Sequence, residues 1–323
     1  PSNLSSLKPK LFKDYRENIS YSLDSWNKCF YLHTNENAEN FKLIKSEHKK
    51  KDVFYEVISP KKNTIIGTPL ILKKWLLWVE KENANSKIYV RNIKNKQTKE
   101  LKLYNDEVKQ VSCSYFEKNL NSNFVYISYS SPKSTYKTLI YNLDTNKYKV
   151  VKKQIIPSGY NEKNYIVERV YAPSHDNKKI PITIIRHKKT KLDGRSKVLL
   201  YGYGAYGSSV GNGFSANKLS LINRGIIWAN AHIRGGMECG MNWWKEGKML
   251  KKKNTFLDYI SCAEYLIKNK YTKPKQIIGM GGSAGGLLMG AVLNQASELF
   301  LAALLAVPFV DSLTTNLDHS LPL

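Results

Sequence analysis

Apolar and polar residues alternate with a period of two through the first half of the chain, in short runs broken by polar turns. "CFYLHT", "WLLWVE" and "FVYISYS" are each followed, after a break, by a second run: "FKLIKS", "KIYVRNI" and "KTLIYNL". Such alternation puts one face of a strand into a core and the other into water, so each pair predicts neighbouring strands. Aligning Phe30, Leu77 and Val125 gives a repeat of about 47 residues, near the length of a four-stranded propeller blade. About three blades fit into residues 1–155. An antiparallel sandwich has the same alternation and stays open at this point.

Near Ile155 the pattern changes. Strands are expected at Tyr165 to Tyr171, Ile180 to Arg186, Lys197 to Leu200, Ile226 to Ala231, Gln276 to Met280 and Ala302 to Val307. The later ones are continuous apolar runs, as in a parallel sheet buried on both faces. Helices are expected between them at Asn217 to Asn223 and in "NTFLDYISCAEYLIKNK", where Phe256, Tyr259, Ile260, Ala263 and Ile267 recur at helical spacing. Thr255 and Asp258 form a loose capping box for the longer helix. Strands alternating with helices predict an α/β sheet over residues 156–323, with its chemistry at strand ends.

The stretch "IIGMGGSAGG", residues 277 to 286, sets Ser283 among five glycines directly after the Gln276 to Met280 strand. It satisfies G-x-S-x-G, the pattern of a strand that turns sharply into a helix and lifts a serine hydroxyl above the sheet. Bulkier side chains would collide at such a bend, and the helix N-terminus aims N–H groups at a developing oxyanion. The phosphate-cradling spacings G-x-x-x-x-G-K-[ST] and G-x-G-x-x-G are not met. A second glycine cluster, "VLLYGYGAYGSS", ends the strand before it, where a second oxyanion donor belongs; the Tyr203 hydroxyl is the candidate. In a third, "HIRGGMECG", Arg234 and Glu238 are expected to order the loop by pairing with each other.

Composition narrows the function classes. The formal net charge is +25, but lysines and asparagines are scattered along the whole chain, which solvates it without focusing a field on nucleic acid. Cys29, Cys113, Cys239 and Cys262 form no C-x-x-C pair, which points to a reducing, cytoplasmic setting and away from disulfides or zinc. No clustered His, Cys and carboxylate set implies a metal or cofactor. The opening "PSNLSSLKPK" has no signal-like region. The longest apolar run, Leu299 to Val310, is too short to span a bilayer.

With "YGYGAYG", "IRGGMECG", "KKKNTFLDY", "GGSAGGLLMG" and "VPFVDSLTTNLD" in this order, the sequence resembles the prolyl oligopeptidase family of serine peptidases, and within it the oligopeptidase B branch. The resemblance covers nearly the whole chain. It implies an α/β-hydrolase sheet preceded by part of a β-propeller, with Ser283 as nucleophile and the Ala284 N–H and Tyr203 hydroxyl as oxyanion hole. Tyr206 and Phe309 become candidate walls of the specificity pocket, where an aromatic face receives a guanidinium. Short peptides cut after Arg or Lys are the implied substrates, without cofactor, nucleic acid or membrane as partner.

Two departures qualify that expectation. Gly211 and Gly213 stand where related enzymes carry acids, so the resemblance leaves a preference for paired basic residues open. Only forty residues follow Ser283, whereas the family's Asp and His come later than that. Asp311 and Asp318 fall in a loop before the triad acid, and His319, like His175, His187 and His232, matches no triad position. The expectation is therefore an incomplete chain, close to inactive alone, whose triad is completed by a C-terminal segment, with an uncovered apolar sheet edge. A catalytically dead interaction module and an esterase on the same elbow are the alternatives.

Overall fold

The computed structural model describes residues 11–50 and 53–321; the opening "PSNLSSLKPK" lies outside the described residues. The chain divides into two compact units that part between Pro60 and Lys61. The first holds one antiparallel sheet in sequential order, β1 (Tyr21–Trp26), β2 (Cys29–Thr34), β3 (Lys42–Glu47) and β4 (Tyr55–Ile58). Its core is small, with Leu32 and Leu43 buried on adjacent strands.

The second unit opens with two more antiparallel meanders. One comprises β5 (Thr64–Ile66), β6 (Leu70–Ile71), β7 (Trp75–Glu82), β8 (Asn85–Asn92) and β9 (Thr98–Glu100), with β5 and β6 both pairing β7. The other comprises β10 (Gln110–Tyr115), β11 (Phe124–Ser130), β12 (Lys137–Asn142) and β13 (Lys147–Lys153). Strict alternation along β8 buries Ser86, Ile88 and Val90 and leaves Lys87, Tyr89 and Arg91 half-buried. Val90, Val125, Ile127 and Leu139 join one core across both meanders. At the outer edge, every residue of β13 is exposed, with lysines at 147, 149, 152 and 153. Each sheet has the sequential meander of a propeller blade, as the repeat predicts.

From Tyr165 the chain builds a six-stranded mixed sheet: β14 (Tyr165–Pro173), β15 (Lys179–His187), β16 (Val198–Tyr201), β17 (Ile227–Ala231), β18 (Ile277–Gly282) and β19 (Phe300–Ala306). Its spatial order is β14-β15-β17-β16-β18-β19, antiparallel at the first two pairings and parallel thereafter. Helices α1 (Ala216–Ile222), α2 (Met241–Lys245), α3 (Lys253–Lys268) and α4 (Ala284–Ala296) lie in the connections, and α5 (Ser312–Leu317) follows β19. One core face packs Ile182, Leu200 and Ala229 of the strands against Tyr259 and Ala263 of α3 and Leu288 and Val292 of α4. The other packs Leu199 and Trp228 against Leu219 and Ile222 of α1. At the β19 edge Leu301 and Leu304 are each 49% exposed.

Two local expectations need correction. Thr255 and Asp258 are not a capping box: α3 begins earlier, at Lys253, and both side chains are buried inside it. The Thr255 hydroxyl donates to the Arg234 carbonyl, and Asp258 accepts from Arg234 itself. The fully buried stripe of α3 is accordingly Tyr259, Cys262, Ala263 and Leu266, while Phe256, Ile260 and Ile267 are only partly covered.

Candidate active site

Parallel strands β16 and β18 end side by side, and Gly202 N–H continues their ladder by donating to the Met280 carbonyl at 3.1 Å. Both loops that matter therefore leave the sheet at the same rim. At the end of β18 the backbone reverses at Ser283, which has φ 55° and ψ −118° and immediately precedes α4. Few residues with a side chain take this conformation, and one that does needs neighbours that hold it there. The Ser283 N–H donates to the Ala306 carbonyl at 2.9 Å, and the Ser283 carbonyl accepts from the N–H groups of Gly286 at 2.8 Å and Phe309 at 3.1 Å. The side chain itself is exposed.

Close backbone approach explains the glycines. A Cβ on Gly281 would stand 2.1 Å from the Gly285 carbonyl oxygen, and one on Gly286 would stand 2.4 Å from Pro308 Cα. A Cβ on Gly285 would meet the Gly202 carbonyl oxygen at 2.9 Å and Tyr203 Cδ2 at 3.4 Å, so the first turn of α4 lies directly against Tyr203. Ala284 is the first residue of α4, and its N–H has no carbonyl four residues back within the helix. Tyr203 is half-buried, Phe309 half-buried and Tyr206 78% exposed with φ 55°. The structure thus gathers Ser283, Ala284, Tyr203 and Phe309 around one rim, with Tyr206 further out on the same loop as Tyr203. Beside Tyr203 an open cleft of about 380 Å3 runs along Tyr201, Lys218, Trp228 and Met280.

The expected Arg234–Glu238 pair is absent, and both residues are spent elsewhere. The wholly buried Arg234 guanidinium donates through Nε and one terminal nitrogen to Asp258, at 2.8 and 2.6 Å. It also reaches Asp176 at 2.7 and 3.2 Å and Ser174 Oγ at 3.3 Å. Glu238 instead accepts the Val210 N–H at 2.7 Å. A single carboxylate on the apolar stripe of α3 was the available signal for Asp258; nothing local marks Asp176.

Glu238 and His232 form a second buried group. Nδ1 of His232 lies 3.7 Å from Glu238 Oε1, while His232 Nε2 is 2.7 Å from Thr183 Oγ1. Burial pushes the Glu238 carboxyl up to about 7, against the Val210 N–H, which pulls it down. Burial, helped by Arg169 and Lys218, holds the His232 imidazole well below its ordinary value. A carboxyl raised on folding contributes stability that is fully present below its ordinary pKa and lost as pH rises through about 7. The depressed imidazole has the opposite sign, losing stability as pH falls below its ordinary value. Glu238→Gln should therefore gain stability relative to the unsubstituted protein as pH goes from 5 to 8, by roughly 3 kcal/mol for a shift of this size. Urea unfolding across that range tests it; parallel curves would refute the assignment.

Among the described residues, no histidine or carboxylate hydrogen-bonds the Ser283 hydroxyl. His175 contacts Ser174, His187 accepts the Lys189 N–H and His232 faces Thr183. Asp311 caps α5 through the Thr314 N–H, and Asp318 binds Ser320. All four cysteines are free, and burial pushes Cys113 up to about 11 and Cys239 to about 12. Among the described residues no three metal-ligating side chains gather, and no helix is long and apolar enough to cross a membrane.

Residues 4–154 match the prolyl oligopeptidase N-terminal β-propeller domain, and residues 212–323 match the prolyl oligopeptidase family. Dipeptidyl aminopeptidase BI of Pseudoxanthomonas mexicana is 45% identical over 201 residues, covering 62% of this chain and 27% of its own. Protease 2 of Moraxella lacunata is 33% identical over 322 residues, covering 97% of this chain and 45% of its own. The chain thus spans less than half the length of these relatives. The solved oligopeptidase B of Trypanosoma brucei, in its closed form with covalently bound antipain, superposes with a TM-score of 0.87 at 29% identity, over 94% of this chain and 44% of that one.

Proposed function

Since this chain belongs to the prolyl oligopeptidase family, we propose that it carries the nucleophile and oxyanion hole of a serine oligopeptidase that cleaves short peptides after Arg or Lys. The observation that carries this reading is Ser283: exposed, in a left-handed backbone conformation at the β18–α4 junction, with the Tyr203 loop packed on the first turn of the helix. In this mechanism Ser283 Oγ bonds to the scissile carbonyl carbon and its proton passes by way of a base to the leaving amine as the C–N bond breaks. Water then hydrolyses the acyl-enzyme by the same route. The Ala284 N–H and the Tyr203 hydroxyl hold the oxyanion formed in each step. The covalent antipain of the Trypanosoma enzyme supports such a covalent route.

No described residue serves as the base, so the triad His and Asp are assigned to a complementing segment of the same enzyme. A serine without its base is a weak nucleophile at neutral pH. Residues 1–155 act as part of a propeller that limits substrate size, and residues 156–323 belong to the catalytic domain. Tyr206 and Phe309 offer aromatic faces to a basic side chain. The free cysteines suit a cytoplasmic enzyme.

Hydrolysis of arginyl, lysyl and prolyl peptide amides, by the chain alone and by the chain joined to a segment bearing His and Asp, tests this function. Turnover is expected only in the joined form, with Arg and Lys ahead of Pro by about 100-fold or more, the scale of a discriminating polar pocket. Faster prolyl cleavage would overturn the specificity, and cleavage of esters alone would make the protein an esterase. Failure of Ser283 to react with a fluorophosphonate in either form would favour an interaction module. In the joined form Tyr203→Phe should lower kcat about 100- to 1000-fold, as loss of one oxyanion donor does elsewhere.

A further inference from the structure

We propose that Arg234 is a positioning residue for Tyr203: its buried bridge to Asp258 and Asp176 fixes the loop against which the Tyr203 to Gly207 loop is folded. The inference rests on the reading of Tyr203 as an oxyanion donor. Arg234 lies just beyond β17, and its backbone N–H donates to the same Asp258 oxygen as its Nε, at 3.0 Å. Main chain and side chain of Arg234 are thereby both referred to α3. Its carbonyl is held as well, accepting from the Thr255 hydroxyl at 2.9 Å.

The next residue transmits that rigidity. Gly235, at φ 100°, donates its N–H to the Trp243 carbonyl at 3.0 Å and accepts the Gly207 N–H at 2.9 Å. The contact with the Tyr203 loop is so close that a Cβ on Gly235 would stand 1.9 Å from the Gly204 carbonyl oxygen. On the other side, a Cβ on Gly204 would lie 2.3 Å from Thr255 Cγ2 and 3.0 Å from the Arg234 carbonyl oxygen. Lys252 Nζ donates to the Gly204 carbonyl. The residue after Tyr203 is thus enclosed between Arg234, Gly235 and Thr255, and all three are tied to the Arg234–Asp258 bridge. A phenol that must meet a developing oxyanion within a few tenths of an ångström needs such a fixed base, since misplacement by about 1 Å costs about 100-fold in rate.

Arg234→Lys keeps the charge and loses the two-pronged geometry that the planar guanidinium provides. Hydrogen exchange of the full chain should then show amides 204–207 exchanging about 10-fold faster or more, with those of β15 and β17 unchanged. In the chain joined to its complementing segment, kcat should fall about 100-fold with KM little altered, and that loss should largely vanish when Tyr203→Phe is already present. Uniform acceleration of exchange, or losses that multiply fully in the double variant, would overturn the proposal. An inert Tyr203→Phe would instead overturn the oxyanion assignment on which the proposal stands. Should Arg234→Lys not fold, Asp176→Asn removes only the half-exposed arm of the bridge; it should shift exchange and kcat the same way, about 3- to 10-fold, and no shift refutes the proposal.

Discussion

Ser283→Ala removes amide hydrolysis from the completed enzyme, with kcat falling about 10^6-fold, the scale set by deleting the nucleophile of a serine peptidase. Alanine occupies the same left-handed backbone with the same strain as serine, and the hydrogen bonds at this position come from the main chain, from Ala306, Gly286 and Phe309. The thermal midpoint should therefore move little. Turnover of a peptidyl-arginyl amide and stoichiometric labelling by a fluorophosphonate, each alongside thermal unfolding, check both halves of this expectation. Ser208 and Ser209 are also exposed, on the loop that carries Tyr203. Undiminished labelling of Ser283→Ala would move the nucleophile to such a site and dismantle the elbow assignment.

Gly281→Ala should damage fold and chemistry together. The added methyl would stand 2.1 Å from the Gly285 carbonyl oxygen, 2.6 Å from its carbonyl carbon and 3.1 Å from its Cα. All three atoms are main chain in the first turn of α4, so no side chain can swing aside; β18 and α4 must separate. Overpacking of this kind costs about 3 kcal/mol or more, and urea unfolding would read it directly. Gly159→Ala is the matched comparison, since Gly159 has φ 83° and nothing within 4 Å of its added Cβ. There only the left-handed penalty of about 1 to 2 kcal/mol applies. If Gly281→Ala were the milder of the two, the sharp turn would not depend on close backbone approach.

The sequence discloses those parts of the structure whose cause is local. Period-two alternation found β2, β7, β8, β11 and β12 within a residue or two, because burial of Ile88 and Val90 against Lys87 and Tyr89 is written at consecutive positions. The elbow was equally plain: contacts of Gly281, Gly285 and Gly286 forbid a side chain, and composition records that directly. What escaped was pairing over distance. Arg234 finds Asp258 24 residues later and Asp176 58 residues earlier, while Glu238, four positions away, turns to the Val210 N–H. Proximity in sequence favours Glu238 as the partner, and Asp258 reads as half of a capping box because a polar residue near a helix start ordinarily faces water. The break between Pro60 and Lys61 was also hidden, since one meander follows another with unchanged alternation.

The edge strand β13, paired only with β12, gives part of the large positive charge a structural use. Its lysines at 147, 149, 152 and 153 stand along the edge that, among the described residues, faces no further strand of the sheet. A second copy approaching to pair there would bring four more ammonium groups against these four, within the ~10 Å screening length of about 0.1 M salt. That repulsion guards the rim against runaway strand addition, and it should weaken wherever concentrated salt or a polyanion masks it.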